Sequence, residues 1–262
     1  MRAKKSLGQH FLRDMDIVQR IVGCADITAE DIVLEIGAGT GILTKALATK
    51  AGKVIALEID DRLCNGLKKI SSCYNNIKFV HTDVLSFDYN EIKGRFKVIA
   101  NLPYYISTPI IFNLLKNDTN VISMVLMLQK EVAERIVSLP NKKSYGLLSI
   151  AVQFYSNPEI LFCVDKSHFS PMPDVDSAVV RIVPKTMPDI RVKDEGFFFT
   201  VVKASFAHRR KFLINSLINR GYPPEIIRKG LTACNIDLKR RPETLTIEEF
   251  GCLSDFLFEL NL

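Results

Sequence analysis

The chain has 262 residues, 47% hydrophobic and 24% charged, with a formal net charge of +6, no Trp, six Cys and four His. This is ordinary globular composition, long enough for one sizeable core and a smaller appended domain. No apolar run approaches the roughly 20 residues that cross a bilayer, and neither Cys nor His shows metal-site spacing, so a membrane span and a metal centre are disfavoured.

The basic start Met1-Arg2-Ala3-Lys4-Lys5 is not followed by an apolar segment, and Asp14 and Asp16 come early, so no cleaved leader is expected. The cysteines are expected to be reduced, mostly buried thiols, and the protein to be cytosolic.

Strands are expected over residues 32–36, 54–59, 77–80, 97–101, 121–129, 159–164 and 177–183. Helix-patterned segments at 44–51, 61–71 and 109–116 lie between them. Such alternation predicts an α/β fold with a doubly wound, mainly parallel sheet of seven strands, covered on both faces. The first of these strands, Ile32-Val33-Leu34-Glu35-Ile36, is almost continuously apolar, as a strand buried on both sides should be. After Pro184-Lys185-Thr186-Met187-Pro188 the pattern changes. Residues 195–206, 211–219, 224–234 and 247–260 read as helices, punctuated by Pro223-Pro224 and Pro242. The expected domains are therefore 1–184, carrying the chemistry, and 185–262, small and all-α.

The strand at 32–36 runs into Glu35-Ile36-Gly37-Ala38-Gly39-Thr40-Gly41. Glycines there permit a tight strand-to-helix turn and close approach of a ligand to the backbone. Their Gly-x-Gly-x-Gly spacing is not the dinucleotide Gly-x-Gly-x-x-Gly, and no Lys-Ser/Thr follows to make a phosphate loop. The segment resembles motif I of class I S-adenosylmethionine methyltransferases. Two acids then fall where such a cofactor needs acceptors. Glu58, 21 residues beyond Gly37 at the end of the second strand, suits the ribose hydroxyls, and Asp83 after the third suits the adenine amine. For Asp83 the plain alternative is a turn or cap residue. For the second strand end, a cap role fits Asp60 or Asp61 better than Glu58.

The fourth strand ends in Asn101-Leu102-Pro103-Tyr104. An aromatic amine is a poor nucleophile because its lone pair is delocalised. The Asn101 side-chain oxygen and the Leu102 carbonyl can accept its two N–H bonds and favour a pyramidal nitrogen. Pro103 stiffens the turn, and Tyr104 offers a face for an extruded base. Phe169 in His168-Phe169-Ser170-Pro171-Met172-Pro173 is a second candidate for stacking, though a Phe is more often core. At this place the tetrapeptide resembles the (Asp/Asn)-x-Pro-(Tyr/Phe) motif of amino methyltransferases.

The basic excess is concentrated. Residues 203–241 hold ten Lys/Arg against Glu225 and Asp237, a net of +8, including Arg209-Arg210-Lys211 and Lys239-Arg240-Arg241. These six form a candidate RNA-binding patch.

Taken together, the chain resembles the rRNA adenine N6,N6-dimethyltransferase family over nearly its whole length. The resemblance rests on Lys5-Ser6-Leu7-Gly8-Gln9-His10-Phe11-Leu12, the Glu35–Gly41 turn, Asn101–Tyr104, Phe169–Ser177 with Ala178-Val179-Val180-Arg181, and Phe206-x-x-Arg209-Arg210-Lys211-x-Leu213-x-Asn215. It departs at His10, where many bacterial members have Asn. The resemblance implies S-adenosylmethionine as cofactor, held by His10, Leu12, Glu35, Gly37, Gly39, Gly41, Glu58, Asp83 and Asn101. It implies dimethylation of two adjacent adenosines in a 3′-terminal hairpin loop of small-subunit rRNA, inside an immature subunit, by a monomer. The alternatives are a large-subunit methyltransferase of the macrolide-resistance type and a non-catalytic nucleic-acid-binding factor derived from the family.

Overall fold

The computed structural model describes Lys4 and residues 7–103, 106–116, 120–208 and 211–260. The first elements are β1 (Phe11–Leu12), α1 (Met15–Cys24), β2 (Ile32–Ile36), α2 (Ile42–Ala48), β3 (Lys53–Glu58), α3 (Asp61–Ser72) and β4 (Ile77–His81). Then come β5 (Phe96–Asn101), α4 (Ser107–Lys116), β6 (Val121–Gln129), α5 (Lys130–Ile136), α6 (Leu147–Tyr155), β7 (Ser156–Val164), β8 (Phe169–Ser170) and β9 (Ser177–Pro184). Helices α7 (Glu195–Ser205), α8 (Leu213–Ile218), α9 (Pro224–Ala233) and α10 (Ile247–Phe258) follow.

One unit contains the sheet, in the order β4-β3-β2-β5-β6-β9-β7. Neighbours from β4 to β6 are parallel, and β9 runs antiparallel to both β6 and β7. This is the doubly wound, mainly parallel, seven-stranded sheet expected. The chain moves outward from β2 through β3 to β4, then returns to place β5 on the other side of β2. Ligands of such sheets bind where the order reverses, outside the carboxyl ends of the strands.

The strand register fixes what emerges there. Ile36 pairs with Leu57 of β3 on one side and with Ala100 of β5 on the other. The residues that follow these three are Gly37, Glu58 and Asn101, so the turn, the acid and the amide leave the sheet side by side.

The expected strands fall on β2 to β7 and β9 within three residues at each end, the largest offset being Ser156 against 159. The short pair β1 and β8, joined antiparallel through Phe11 to Ser170 and Leu12 to Phe169, was not among the expected elements. Nor were α1, α5 and α6. Helix α1 carries its own start signal: the Asp14 carboxylate accepts from the N–H of Asp16 at 2.8 Å and Ile17 at 3.3 Å.

The second unit takes in Glu134–Tyr155 as well as the described residues from Lys185 onward. The expected division at 184/185 leaves out that first segment. Its residues Tyr145, Ile150 and Phe154 pack into one core with Phe198, Val201 and Phe250, and the Phe154 and Phe198 rings lie 5.0 Å apart. Helix α6 is apolar on nearly every side, and only a core formed by distant residues can bury it. A capping box starts α10, Thr246 exchanging bonds with Glu249.

The reduced-thiol expectation also needs correction. Cys234, just past α9, is bonded to Cys252 on α10, with Cα atoms 5.9 Å apart. Their separation of 18 residues carries no pairing signal; the packing of α9 on α10 brings them together. Gly230 allows this close approach, since a Cβ there would lie 2.9 Å from the Phe256 ring.

Two glycines separate turn geometry from helix propensity. Gly41 has φ +78°, and a Cβ on it would collide with Ile70 Cδ1; Gly66 is exposed on α3 with nothing within 4 Å. Gly41→Ala is expected to destabilise the chain by about 1–2 kcal/mol, and Gly66→Ala to stabilise it by about 0.5–1 kcal/mol. Urea unfolding of the two variants checks this; equal effects would contradict it.

Candidate active site

The glycine turn after β2 has left-handed backbone at Gly37, Gly39 and Gly41, with φ of 73°, 58° and 78°. The N–H groups of Gly37 and Ala38 both donate to the Leu57 carbonyl at 2.9 Å. The Gly39 N–H donates to Oε2 of Glu58 at 2.8 Å, while Oε1 accepts from the Ile59 and Asp60 N–H groups, each at 2.9 Å. Three backbone donors thus hold a carboxylate that is only 6% exposed. A carboxylate offers about four acceptor positions, so Glu58 keeps capacity for a ligand hydroxyl.

Asp83 is a cap residue that also lines the cavity. Its Oδ1 accepts from the Leu85 N–H at 2.9 Å and caps the short turn Val84–Ser86, and it also faces the cavity. On the opposite wall, Asn101 Nδ2 donates to the His10 carbonyl at 3.1 Å. A carbonyl can only accept, so the amide orientation is fixed and Oδ1 is left as the free-facing acceptor. The Leu102 N–H is spent on the Met127 carbonyl at 3.1 Å.

These groups enclose a cavity of about 210 Å³ lined by His10, Gly37, Gly39, Glu58, Asp83, Asn101, Leu102 and Pro103, among others. Ile59 and Leu85, 45% and 44% exposed, add aliphatic surface to it. Other expected site residues lie elsewhere. Gly41 begins α2, and Leu12, 5% exposed, belongs to the core. Phe169, expected to stack on a base, is 4% exposed, paired with Leu12 through β8 and packed in the same core. Its side chain is covered in this structure by the packing of β1 against β8. Tyr104 lies outside the described residues.

Glu35 is fully buried just before the glycines, and its Oε2 has no hydrogen-bond partner among the described residues. Burial, with the negative charge of Glu58 adding and Thr44 opposing, pushes its carboxyl up to about 8. An acid in this state is a ready counter-charge for a cation that arrives nearby.

One network was not foreshadowed by any local pattern. Gln9, which lines the cavity, donates from Nε2 to Asp60 Oδ2 at 2.7 Å and accepts the Lys4 N–H at 2.8 Å. Asp60, 3% exposed, also takes Arg62 Nε at 2.9 Å and Nη2 at 2.6 Å, and it caps α3. Arg62 first, then Gln9, holds its carboxyl well below the usual carboxylate range. His10 Nδ1 meets the Pro171 carbonyl at 2.8 Å, and His168 Nδ1 meets Asp14 Oδ2 at 2.7 Å. The N-terminal segment is therefore clamped across the cavity at both sides. The signal was the run Gly8-Gln9-His10 itself, but nothing in it names Asp60 as the partner.

Asp61, Cys64 and His81 also converge, within 4.8 Å of one another. His81 Nε2 is engaged by Asp61 at 3.1 Å, and burial raises the Cys64 thiol, so the three side chains are already committed to one another and to the fold.

In the helical unit, Lys211, Lys239 and Arg241 are exposed. Arg240 is partly exposed and already engaged: its guanidinium grips Glu249 through both nitrogens, Nη2 to Oε2 at 2.9 Å, and Nε donates to Thr244 Oγ1 at 3.1 Å, at the start of α10. Arg209 and Arg210 lie outside the described residues.

The model of a family described as ribosomal RNA adenine dimethylase matches residues 1–257. A protein of Listeria monocytogenes serovar 1/2a, named ribosomal RNA small subunit methyltransferase A, is 50% identical over 267 residues, covering 97% of this chain and 90% of its own length. A protein of the same name from Geobacillus sp. strain WCH70 is 46% identical over 265 residues, with 97% and 91% covered. Among solved structures, a dimethyladenosine transferase from Plasmodium falciparum has TM-score 0.81 at 29% identity, covering 96% of this chain and 98% of that one. The 23S rRNA methyltransferase ErmE has TM-score 0.72 at 27% identity, with 95% and 99% covered.

Glu35 makes a prediction about pH. Its carboxyl is raised from its ordinary value near 4.5 to about 8, so between these limits the folded chain keeps a proton that the unfolded chain has lost. This contribution to stability is full below about pH 4.5 and declines as pH rises toward 8, by at most about 1.4 kcal/mol per pH unit. Glu35→Gln is expected to remove that decline, so that it gains on the parent as pH rises from 5 to 8. Urea unfolding at several pH values measures it; parallel pH profiles would show that Glu35 does not titrate this way.

Proposed function

The chain belongs to the ribosomal RNA adenine dimethylase family, and from that premise we propose that it carries methyl groups from S-adenosylmethionine to the N6 amines of two adjacent adenosines in the 3′-terminal hairpin loop of small-subunit ribosomal RNA. The substrate is an immature subunit, and the enzyme acts as a monomer in the cytoplasm. The observation that carries this reading is Asn101, which lines the cavity with Glu58 and the glycine turn and whose Nδ2 is committed to the His10 carbonyl, leaving Oδ1 as its acceptor.

The cavity suits the cofactor on its own chemistry. Glu58 has acceptor capacity for the ribose hydroxyls, and Asp83 and the aliphatic faces of Ile59 and Leu85 suit a purine. Glu35 is not among the residues that line the cavity; buried just before the turn with an unpartnered carboxyl oxygen, it would act on the cationic amino-acid end from behind the glycines. When bound, S-adenosylmethionine supplies an electrophilic methyl group.

The chain itself positions the acceptor nitrogen. Asn101 Oδ1 and the Leu102 carbonyl accept the two N–H bonds of the adenine amine, which localises its lone pair. Pro103 holds the backbone that presents both acceptors. No strong base is required, because the nitrogen becomes acidic only as the new bond forms and its proton then passes to water. The residues thus act by orientation and electrostatics. Tyr104 supplies the stacking face in this reading. The exposed cations Lys211, Lys239 and Arg241 hold RNA phosphates, and a loop target suits the pocket because unstacking costs least there.

The second reading, methylation of large-subunit RNA, is favoured by the likeness to ErmE. The relatives near 50% identity, named for the small subunit, weigh against it.

Tritium transfer from S-adenosylmethionine to undermethylated small subunits, with large subunits, naked rRNA and DNA in parallel, tests the proposal. Label is expected as dimethyladenosine in the small subunit. Asn101→Ala is expected to lower kcat by about 10²–10³ while the circular dichroism spectrum stays unchanged. Label in the large subunit would transfer the chain to the other branch, and cofactor binding with no label anywhere would favour a non-catalytic factor.

A further inference from the structure

The helical unit contains a groove lined by Thr200, Lys203 and Ala204 of α7 and by Arg220, Gly221 and Tyr222 of the loop before α9. We propose that this groove is a binding site for the RNA backbone, Lys203 and Arg220 clasping a phosphate while Tyr222 contacts the adjoining nucleotide. The inference rests on the RNA-methylating reading above and adds to it a site outside both Lys/Arg triplets.

Charge carries the inference. Two cations and no acid line the groove, and neither Lys203 nor Arg220 makes an ion pair or a side-chain hydrogen bond among the described residues. Several other cations are spent on acids: Arg62 on Asp60, Lys97 on Asp31, Lys185 on Asp189, Lys193 on Glu259 and Arg240 on Glu249, whereas these two share a concavity with no acid in it. Like charges sharing a concavity repel each other, and field lines concentrate there, so an anion is stabilised by both.

Shape and the third group point to a nucleotide more than to a bare ion. The groove is open to solvent, and its volume of about 520 Å³ falls within the range of small-ligand sites. Tyr222 is half-buried, its hydroxyl makes no hydrogen bond among the described residues, and burial raises its phenol, so it stays a neutral donor with an aromatic face. Phosphate contacts from Arg and Lys with an aromatic at the sugar or base are how single-stranded RNA is held without sequence readout. Gly221 has φ +96°, and a Cβ placed on it would meet nothing within 4 Å, so the loop face is open to a backbone.

The test uses the full chain, Lys203→Ala/Arg220→Ala, and the charge-keeping Lys203→Arg/Arg220→Lys. Binding to undermethylated small subunits and to a transcript of the 3′-terminal hairpin is measured across KCl concentrations, with S-adenosylmethionine affinity and the melting temperature as controls. The alanine pair is expected to lose about tenfold in affinity for both RNAs, and about 1–2 in the log–log salt slope, as for one or two lost phosphate contacts. Its KM for subunits should rise about tenfold with kcat within about twofold, and the charge-keeping pair should match the parent. Unchanged affinity and slope would overturn the proposal. So would a loss confined to whole subunits, which would assign the groove to an acidic protein surface, or displacement by inorganic phosphate without any effect on RNA, which would make it a free-anion site. A parent chain that binds neither RNA overturns the methylation reading, and the groove with it.

Discussion

The Glu58 carboxylate is the constraint on which the rest of the site depends. It accepts three backbone N–H groups, one from the glycine turn after β2 and two from the chain that enters α3. Two adjacent strand ends are thereby tied to one side chain. The tie requires that the chain reach Gly39 with left-handed backbone, which glycine adopts at little steric cost. It also leaves Asp60 buried at the head of α3, where Gln9 and Arg62 satisfy it. The N-terminal segment is held through Gln9, so a cavity wall remote in sequence depends on the same corner.

The opposite wall is organised by a backbone carbonyl. His10 presents its C=O to Asn101 and its ring to Pro171, linking the first strand pair to the reacting corner. An amide side chain without such a partner can present either end. Here the N–H₂ is committed to the His10 carbonyl, and the oxygen remains as the acceptor. The electrostatics are asymmetric: Glu58 is held by donors, whereas Glu35, close to the same turn, is buried without them and keeps its proton toward neutrality.

The helical unit uses its charges in two ways. Arg240 is consumed by Glu249 and Thr244 at the start of α10, and this fixes the capping box in place. The cations left without acids lie on the surface and in the groove beside Tyr222. A basic sequence segment therefore contains both cations committed to acids and cations left without them, and a count of charges does not separate the two.

The sheet was legible in the amino-acid order, because a strand buried on both faces must be almost wholly apolar and the chain alternates such runs with helical patterns. So was the gathering of Gly37, Gly39, Glu58, Asp83 and Asn101 around one cavity, since each sits at or within three residues of a recognisable strand end and the parallel register aligns those ends. Where partners are distant in sequence, local pattern had nothing to say. The bonds from Gln9 to Asp60 and from Asn101 to His10 span 51 and 91 residues. The inward turn of Phe169, the Cys234–Cys252 link and the place of α6 in the helical core likewise depend on surfaces formed only when remote segments pack. Whether an aromatic ring, a thiol or an arginine faces solvent, another side chain or a ligand depends on what packs against it, and only long-range contacts supply that neighbour.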